Sequence, residues 1–392
     1  MCTTTVSIVL LLSGVCVAAT DIAVYYFPGY HPDPRTDSWH GKGWTEWELL
    51  KVARPRFEGH QQPKVPLWGC QDESKPEVMA DKIAAAADHG VDVFLFDWYW
   101  YENQPFLQGA LERGFLKARN NDRLRFAVMW ANHDWQDIQP TPRMGSCRTL
   151  HCGDAPRPVF EAATNHVIRN YFPHPSYWRV DGGLYFSIYE LATFIKGLGS
   201  VADARAALDD FRARVEKAGL GKLHLNAVVW DDPILPGDKT ATDVNKVLDA
   251  LGFDSITSYV WIHNNPMPDF PMTSYAAFAQ RSARDYDPFT DKYKLPYFPN
   301  VTMGWDSSPR TVQSDVYDNV GYPFTPVLKG NTPDEFAKAL GRAKTFLDRG
   351  LTRPRVLTIN AWNEWTEGSY LEPDTTNGLK YLEAIRTVFK GE

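Results

Sequence analysis

Eight short apolar runs, spaced by longer amphipathic segments, set the main limit on what this chain can fold into. They are IAVYYF from Ile22, VDVFLFDW from Val91, RFAVMWA from Arg125, LYFSIY from Leu184, LHLNAVVW from Leu223, SITSYVW from Ser255, YFPNVTMGW from Tyr297 and RVLTINAW from Arg355. Each is of strand length, rich in β-branched or aromatic residues, and nearly continuous in its apolarity instead of alternating. That pattern belongs to strands covered on both faces, as in a parallel sheet. Helical segments lie between them: PEVMADKIAAAADHG, ended at Gly90; VADARAALDDFRARVEKAGLG, ended at Gly219 or Gly221; and TPDEFAKALGRAKTFLDRG, capped by Thr332 and ended by Gly350. Strands and helices in alternation predict an α/β protein, and a count of eight favours a closed sheet, a single (β/α)8 TIM barrel with long βα loops. No repeat, low-complexity tract or Gly/Ser linker divides the chain, so one domain is expected over residues 21–392.

The first twenty residues, MCTTTVSIVLLLSGVCVAAT, read differently. An apolar stretch from Val6 to Val17 runs into small residues at Ala18 and Ala19, the pattern of a secretory signal, although no Lys or Arg precedes it. Residues 1–20 are therefore expected to be removed, and the protein to act as a secreted or periplasmic monomer. The stretch is too short to span a bilayer and nothing later is longer, so no membrane insertion is expected. The formal net charge is −7 and no run of lysines and arginines is present, which argues against nucleic acid as a partner. Local arginines such as Arg54, Arg56 and Arg310 leave a polyanionic substrate open.

Three cysteines follow the signal. In an oxidising compartment Cys147 and Cys152, in GSCRTLHCGD, are expected to close a short disulfide loop, leaving Cys70 unpaired and buried. Cys147, His151 and Cys152 also have the donor types of a zinc site, but no second ligand pair is visible. No metal or cofactor is expected.

A barrel of this kind carries its reactive groups at the C-terminal ends of the strands and in the loops beyond them. Those ends here hold Tyr26 and His31; Asp97 and Tyr99; Trp130, Asn132 and His133; Tyr189 and Glu190; Trp230; Tyr259, Trp261 and His263; and Trp305 with Asp306. The last strand runs into Trp362, Asn363, Glu364 and Glu367. Aromatics make up 14% of the chain, with 14 tryptophans, and they gather where the acids and amides are. Flat rings stack on the C–H faces of sugars while carboxylates, amides and imidazoles take the hydroxyls. With Trp44, Glu46 and Trp47 from the loop after the first strand, and leaving aside Tyr189, Glu190 and His263, these residues form the candidate binding set for an oligosaccharide or polysaccharide. Glu364 and Glu367 are the candidate catalysts, because a carboxyl pair is what glycosidic cleavage uses. Beside indole rings a carboxylate loses hydration and its proton affinity rises, the condition for acid catalysis near neutral pH.

The blocks FPGYHPDPRTDSWHGKGWTEWELL from Phe27, MWANHDW from Met129 and NAWNEWTEGSYLEPD from Asn360 resemble those of the WbsX-type proteins, which are similar to glycoside hydrolase family 99. The resemblance spans the first, third and last strand-end regions. It implies a (β/α)8 fold and the chemistry of endo-acting α-mannosidases, with Glu364 as the base acting on the sugar's 2-hydroxyl and Glu367 as the general acid/base. Thr366 and Ser369 depart from the mannosidase pattern, so the resemblance implies the reaction class and leaves the sugar open. Two other readings stand beside it. WbsX-type proteins have also been described as glycosyltransferases, against which the export signal and the lack of a Gly-rich phosphate loop both weigh. A non-catalytic sugar-binding protein is the third, and retention of both glutamates argues against it.

Overall fold

The structure, a computed structural model, describes residues 19–145, 147–231 and 233–391. The expected signal segment, apart from its last two residues, lies outside the described residues. Parallel strands form the barrel: β1 (Asp21–Tyr26), β2 (Val93–Tyr101), β3 (Arg125–Trp130), β4 (Gly183–Ile188), β5 (Leu223–Val228), β6 (Ser255–Thr257), β7 (Tyr297–Phe298 and Asn300–Thr302) and β8 (Val356–Asn360). Each pairs with the next in sequence, and β8 returns to β1 with Asp21 opposite Val356 and Val24 opposite Ile359. The seventh strand is broken at Pro299. Its first piece pairs with β6, its second with β8, and the proline, which has no N–H for a ladder, offers its carbonyl to the Thr358 amide at 2.9 Å. This break lets one strand serve two neighbours that diverge.

The expected helices form where the sequence places them. Pro76–Asp88 turns Met79, Ala80, Ile83 and Ala86 onto the barrel, and Gly90 follows at φ +86°. Val201–Lys217 starts on Ser200, whose hydroxyl accepts from the Asp203 amide at 3.1 Å, and buries Ala204, Ala207, Leu208, Phe211 and Val215. Pro333–Asp348 starts on Thr332 and is followed by Gly350 at φ +70°. In each helix the apolar residues recur three or four apart, so one stripe faces the sheet.

The barrel is not filled by apolar side chains alone. Ser187, Asn226 and Ser255 join side by side across β4, β5 and β6, with Oγ to Oδ1 at 2.9 Å and Nδ2 to Oγ at 2.8 Å. Thr257 reaches Thr358 at 3.1 Å across β7, and Asn300 donates to Thr358 at 3.1 Å. These groups satisfy one another, which offsets the cost of their burial.

The described residues contain no disulfide. Cys147 and Cys152 are free thiols, and the cause is local: Thr149–His151 is a strand paired with Trp135–Gln136, and the cysteines flank it. Five steps of extended chain, at roughly 3.3 Å each, hold them well beyond the ~7 Å Cα limit of a disulfide. Cys70, expected to be buried, is exposed in the long loop between β1 and the first barrel helix.

Candidate active site

The final turn fixes the two glutamates. Trp365–Glu367 is a single 3-10 turn, and in such a turn side chains three residues apart lie one above the other. Glu364 and Glu367 therefore project to the same side, into the mouth of the barrel. Gly368 closes the turn at φ +64°, and a Cβ there would stand 2.6 Å from the Cβ of Asp306, so only glycine fits.

From beneath, the turn is held by a buried ionic group. Lys82 Nζ lies 2.5 Å from both Glu73 Oε1 and Glu372 Oε1. Glu372 in turn accepts the indole N–H of Trp362 at 2.9 Å and of Trp365 at 2.6 Å. Asn363 donates to Glu73 at 2.8 Å and exchanges two hydrogen bonds with the Phe27 backbone. Every residue flanking Glu364 is thus tied to a charge or a peptide group.

Above the turn, Arg310 binds three carboxylates. Its Nη2 lies 3.1 Å from Glu46 Oε2 and 3.2 Å from Glu364 Oε2, and its Nη1 donates to Glu367 Oε1 and to the Tyr322 hydroxyl. Tyr322 donates onward to the same Glu367 oxygen at 2.9 Å. Glu46 also accepts from Gln139 Nε2 and Thr366 Oγ1. Burial holds Glu364 well above the usual carboxylate range and the neighbouring charge of Glu367 adds to this, while Arg310 opposes it. Glu367 is raised by burial too, but Arg310 and the Tyr322 hydroxyl pull it back. Asp97 is raised well above its ordinary value by burial, with a 2.8 Å hydrogen bond from Tyr259 working the other way. Its second oxygen has no partner. For Arg310, burial works against the charge and is outweighed by Glu46 and the other acids, so it stays protonated.

Asp97, Arg310, Glu364 and Glu367 line a cavity at the mouth of the barrel. Of the residues proposed from sequence, Asp97, Tyr99, His133, Tyr259, Trp305, Glu364 and Glu367 line it, joined by Phe27, Trp135, Tyr189, His263 and Arg310. Burial pushes His263 down to about 3, so it is neutral and acts only as a hydrogen-bonding group. Ile234 and Leu235, from the loop after β5, close one side.

The other proposed binding residues are elsewhere. Trp130 packs outward on Phe160 and Phe194, because its neighbours Met129 and Ala131 take the inward positions. Trp261 faces Tyr275 and Phe278, with its N–H on the Asn300 carbonyl. Trp47 lies under Tyr30 and Trp365, and Trp44 sits half-buried against His40, so an aromatic groove built on Trp44, Trp47, Trp130 and Trp261 does not form. Tyr26 faces Phe94, Phe96 and Lys82, and His31 is buried against Gly109 with neither ring nitrogen partnered. Trp230 packs on Tyr189 and His263 behind the lining. Asn132 brackets the Glu190 backbone, and Trp362 and Asn363 serve the turn from below. Asp306 turns away to His60 at 2.9 Å and Gln62 at 2.7 Å. Glu46 acts through Arg310 and Thr366, outside the lining. Among the described residues one cluster has metal-type donors, Asp134, Cys152 and Asp154, but its carboxylates answer Lys239 at 3.6 Å and Lys196 at 2.5 Å.

Fold and site together define a (β/α)8 barrel protein with a pair of buried glutamates and an aromatic cavity at the C-terminal ends of its strands. The family model described as "Glycosyltransferase WbsX" matches residues 22–385. The chain belongs to this WbsX family. It is similar to WxcX of Xanthomonas campestris pv. campestris strain B100, named there as an uncharacterized protein, at 28% identity over 383 residues, covering 93% of this chain and 49% of that one. The chain thus spans about half the length of the curated relatives it matches. Among solved structures it is similar to a "glycoside hydrolase-like protein", with a TM-score of 0.60, 13% identity and 97% of each chain covered. It is similar also to the family 99 endo-α-mannosidase of Bacteroides thetaiotaomicron in complex with bis-tris propane, with a TM-score of 0.58, 13% identity, and 95% and 96% covered. Likeness at this identity shows the fold.

Proposed function

We propose that this protein is a glycoside hydrolase that cleaves oligosaccharides or polysaccharides through Glu364 and Glu367, and that it works outside the cytoplasm. The observation that carries the reading is the convergence of two buried glutamates on one aromatic cavity. Glu364, with the higher proton affinity, is the base that takes the proton of the sugar's 2-hydroxyl, whose oxygen attacks the anomeric carbon. Glu367 gives its proton to the leaving glycosidic oxygen, then takes one from the water that opens the anhydro sugar, while Glu364 returns its proton to the 2-oxygen as the anhydro bond breaks. Configuration is retained without a sugar–enzyme bond, unlike the usual retaining pair. Tyr99, Trp135, Tyr189 and Trp305 supply the faces on which sugar rings stack. Export rests on the N-terminal sequence, and among the described residues no helix is long and apolar enough to cross a membrane.

The family's description favours a second reading, glycosyl transfer from a nucleotide sugar. A diphosphate would meet Asp97, Asp134 and both glutamates, with a guanidinium already shared among three carboxylates. The test is incubation with a panel of polysaccharides with no sugar nucleotide present. New reducing ends are expected, falling roughly 10²–10⁴-fold in Glu364→Gln and in Glu367→Gln while binding persists. Turnover that requires a sugar nucleotide would establish the transferase, and near-normal hydrolysis in both variants would move the chemistry elsewhere.

A further inference from the structure

The two glutamates are not equivalently held, and the difference lies in the loop after β7. Glu367 Oε1 takes two donors, Arg310 Nη1 and the Tyr322 hydroxyl, and Tyr322 itself accepts from Arg310 Nη1 at 2.6 Å. These three groups form a closed triangle of hydrogen bonds on one carboxyl oxygen. Glu364 receives one guanidinium N–H at 3.2 Å and a long contact from Tyr259 at 3.4 Å. Arg310 has little freedom to shift between them. Its Nε donates to Thr366 at 3.1 Å, its Nη2 to Glu46, and its Cζ lies 5.6 Å from the centre of the Phe27 ring.

We infer that Arg310 and Tyr322 form a clamp that positions Glu367 and makes it the readier proton donor of the pair. A carboxyl buried this deeply otherwise keeps its proton, since its anion has lost water. Two donors fixed on one oxygen replace that water and stabilise the anion left behind when the proton moves to the leaving group. The same arrangement leaves Glu364 the stronger base, because its extra stabilisation is one N–H and one weak contact. The inference rests on the hydrolase reading for its catalytic consequence; the clamp itself is a property of the site. The other ionisable groups facing Glu367 are Glu364 on its own turn, Glu46 from the β1 loop, Asp97 on β2, Tyr189 beyond β4, Asp238 beyond β5 and Tyr259 beyond β6. The four carboxyls among them disfavour the Glu367 anion, so Arg310 and Tyr322 supply the opposing field.

Tyr322→Phe removes one donor and keeps the ring, which packs 6.2 Å from Trp305. One hydrogen bond to a charged group is worth enough to raise the titration of Glu367 by roughly one pH unit. With Glu367 the more acidic of the pair, its titration sets the acid limb of the kcat/KM profile, which should therefore move up by about that much, while a merely structural role would lower kcat and leave the limb in place. Tyr259→Phe, which removes a donor from Asp97 and Glu364, should instead move the alkaline limb, which Glu364 sets. An independent readout is carbon NMR titration of glutamate carboxyls in the 13C-labelled protein, wild type against Tyr322→Phe. An upward shift without hydrolysis would support the clamp and reject the hydrolase reading. Unmoved limbs together with unmoved carboxyl titrations would overturn the clamp.

Discussion

Lys82→Met tests whether the ionic group beneath the turn that bears Glu364 and Glu367 is structural in the way the geometry implies. Lys82 is almost wholly buried and touches two buried carboxylates, each at 2.5 Å. Burial alone would push Lys82 down, but Glu372 and Glu73 outweigh it and hold it charged. Methionine fills nearly the same volume and removes the charge, so the perturbation isolates electrostatics from packing. Stripping one partner from a buried ion pair costs about 3–5 kcal/mol, because the remaining charge has neither water nor counterion. At roughly 2–4 °C per kcal/mol, the melting temperature should fall by about 10 °C. The loss should depend on pH in a defined direction. Burial has already raised Glu73 to about 7 with Lys82 present, and without Lys82 it is driven further up. Acids that bind more protons when folded lose stability as pH rises, so the deficit should be smallest near pH 5 and grow towards pH 8. Calorimetric melts of both proteins across that range provide the measurement. The combined Glu73→Gln, Lys82→Met, Glu372→Gln variant should recover part of the loss, since no charge is stranded while the amide at position 372 accepts from only one of the two indoles. A deficit below about 1 kcal/mol at pH 8, or one independent of pH, would refute the reasoning.

Trp305 lines the cavity and Trp130 faces the helices, so Trp305→Phe should weaken oligosaccharide binding by about 1 kcal/mol while Trp130→Phe should cost stability and leave binding unchanged; titration calorimetry separates the two. Glu190 is raised to about 8, first by burial and then by Asp238, and one of its oxygens accepts the Lys239 amide at 2.6 Å. An acid raised in the folded state costs stability as pH climbs from its unfolded value towards 8, so Glu190→Gln should stabilise the protein at pH 8 by a few kcal/mol at most and make little difference below about pH 4.5. Thermal melts at the two pH values check this, and a gain that does not grow with pH would count against it.

What the sequence determined by itself is local. Eight continuous apolar runs specified eight doubly covered strands, and Ser200, Thr332, Gly90 and Gly350 marked helix ends, because caps and positive-φ positions depend on a few neighbouring residues. Asn363, Glu364, Trp365, Thr366, Glu367 and Gly368 announced a tight turn bearing two acids for the same reason. What only the tertiary structure decided is direction and partnership. A strand apolar on both faces gives no period-two signal, so nothing in MWA said that Trp130 would point outward, or in FDWY that Asp97 and Tyr99 would point inward while Trp98 packed on Tyr171. Arg310, 54 residues before Glu364, was one of three arginines free to meet a polyanionic substrate until the barrel brought it to three carboxylates. Nothing local to Lys82 or Glu73 marks them as buried; the same closure sets them against each other and Glu372. Strand and helix follow from spacing along the chain, but which charges must share a desolvated space follows from how a closed sheet returns its last strand to its first.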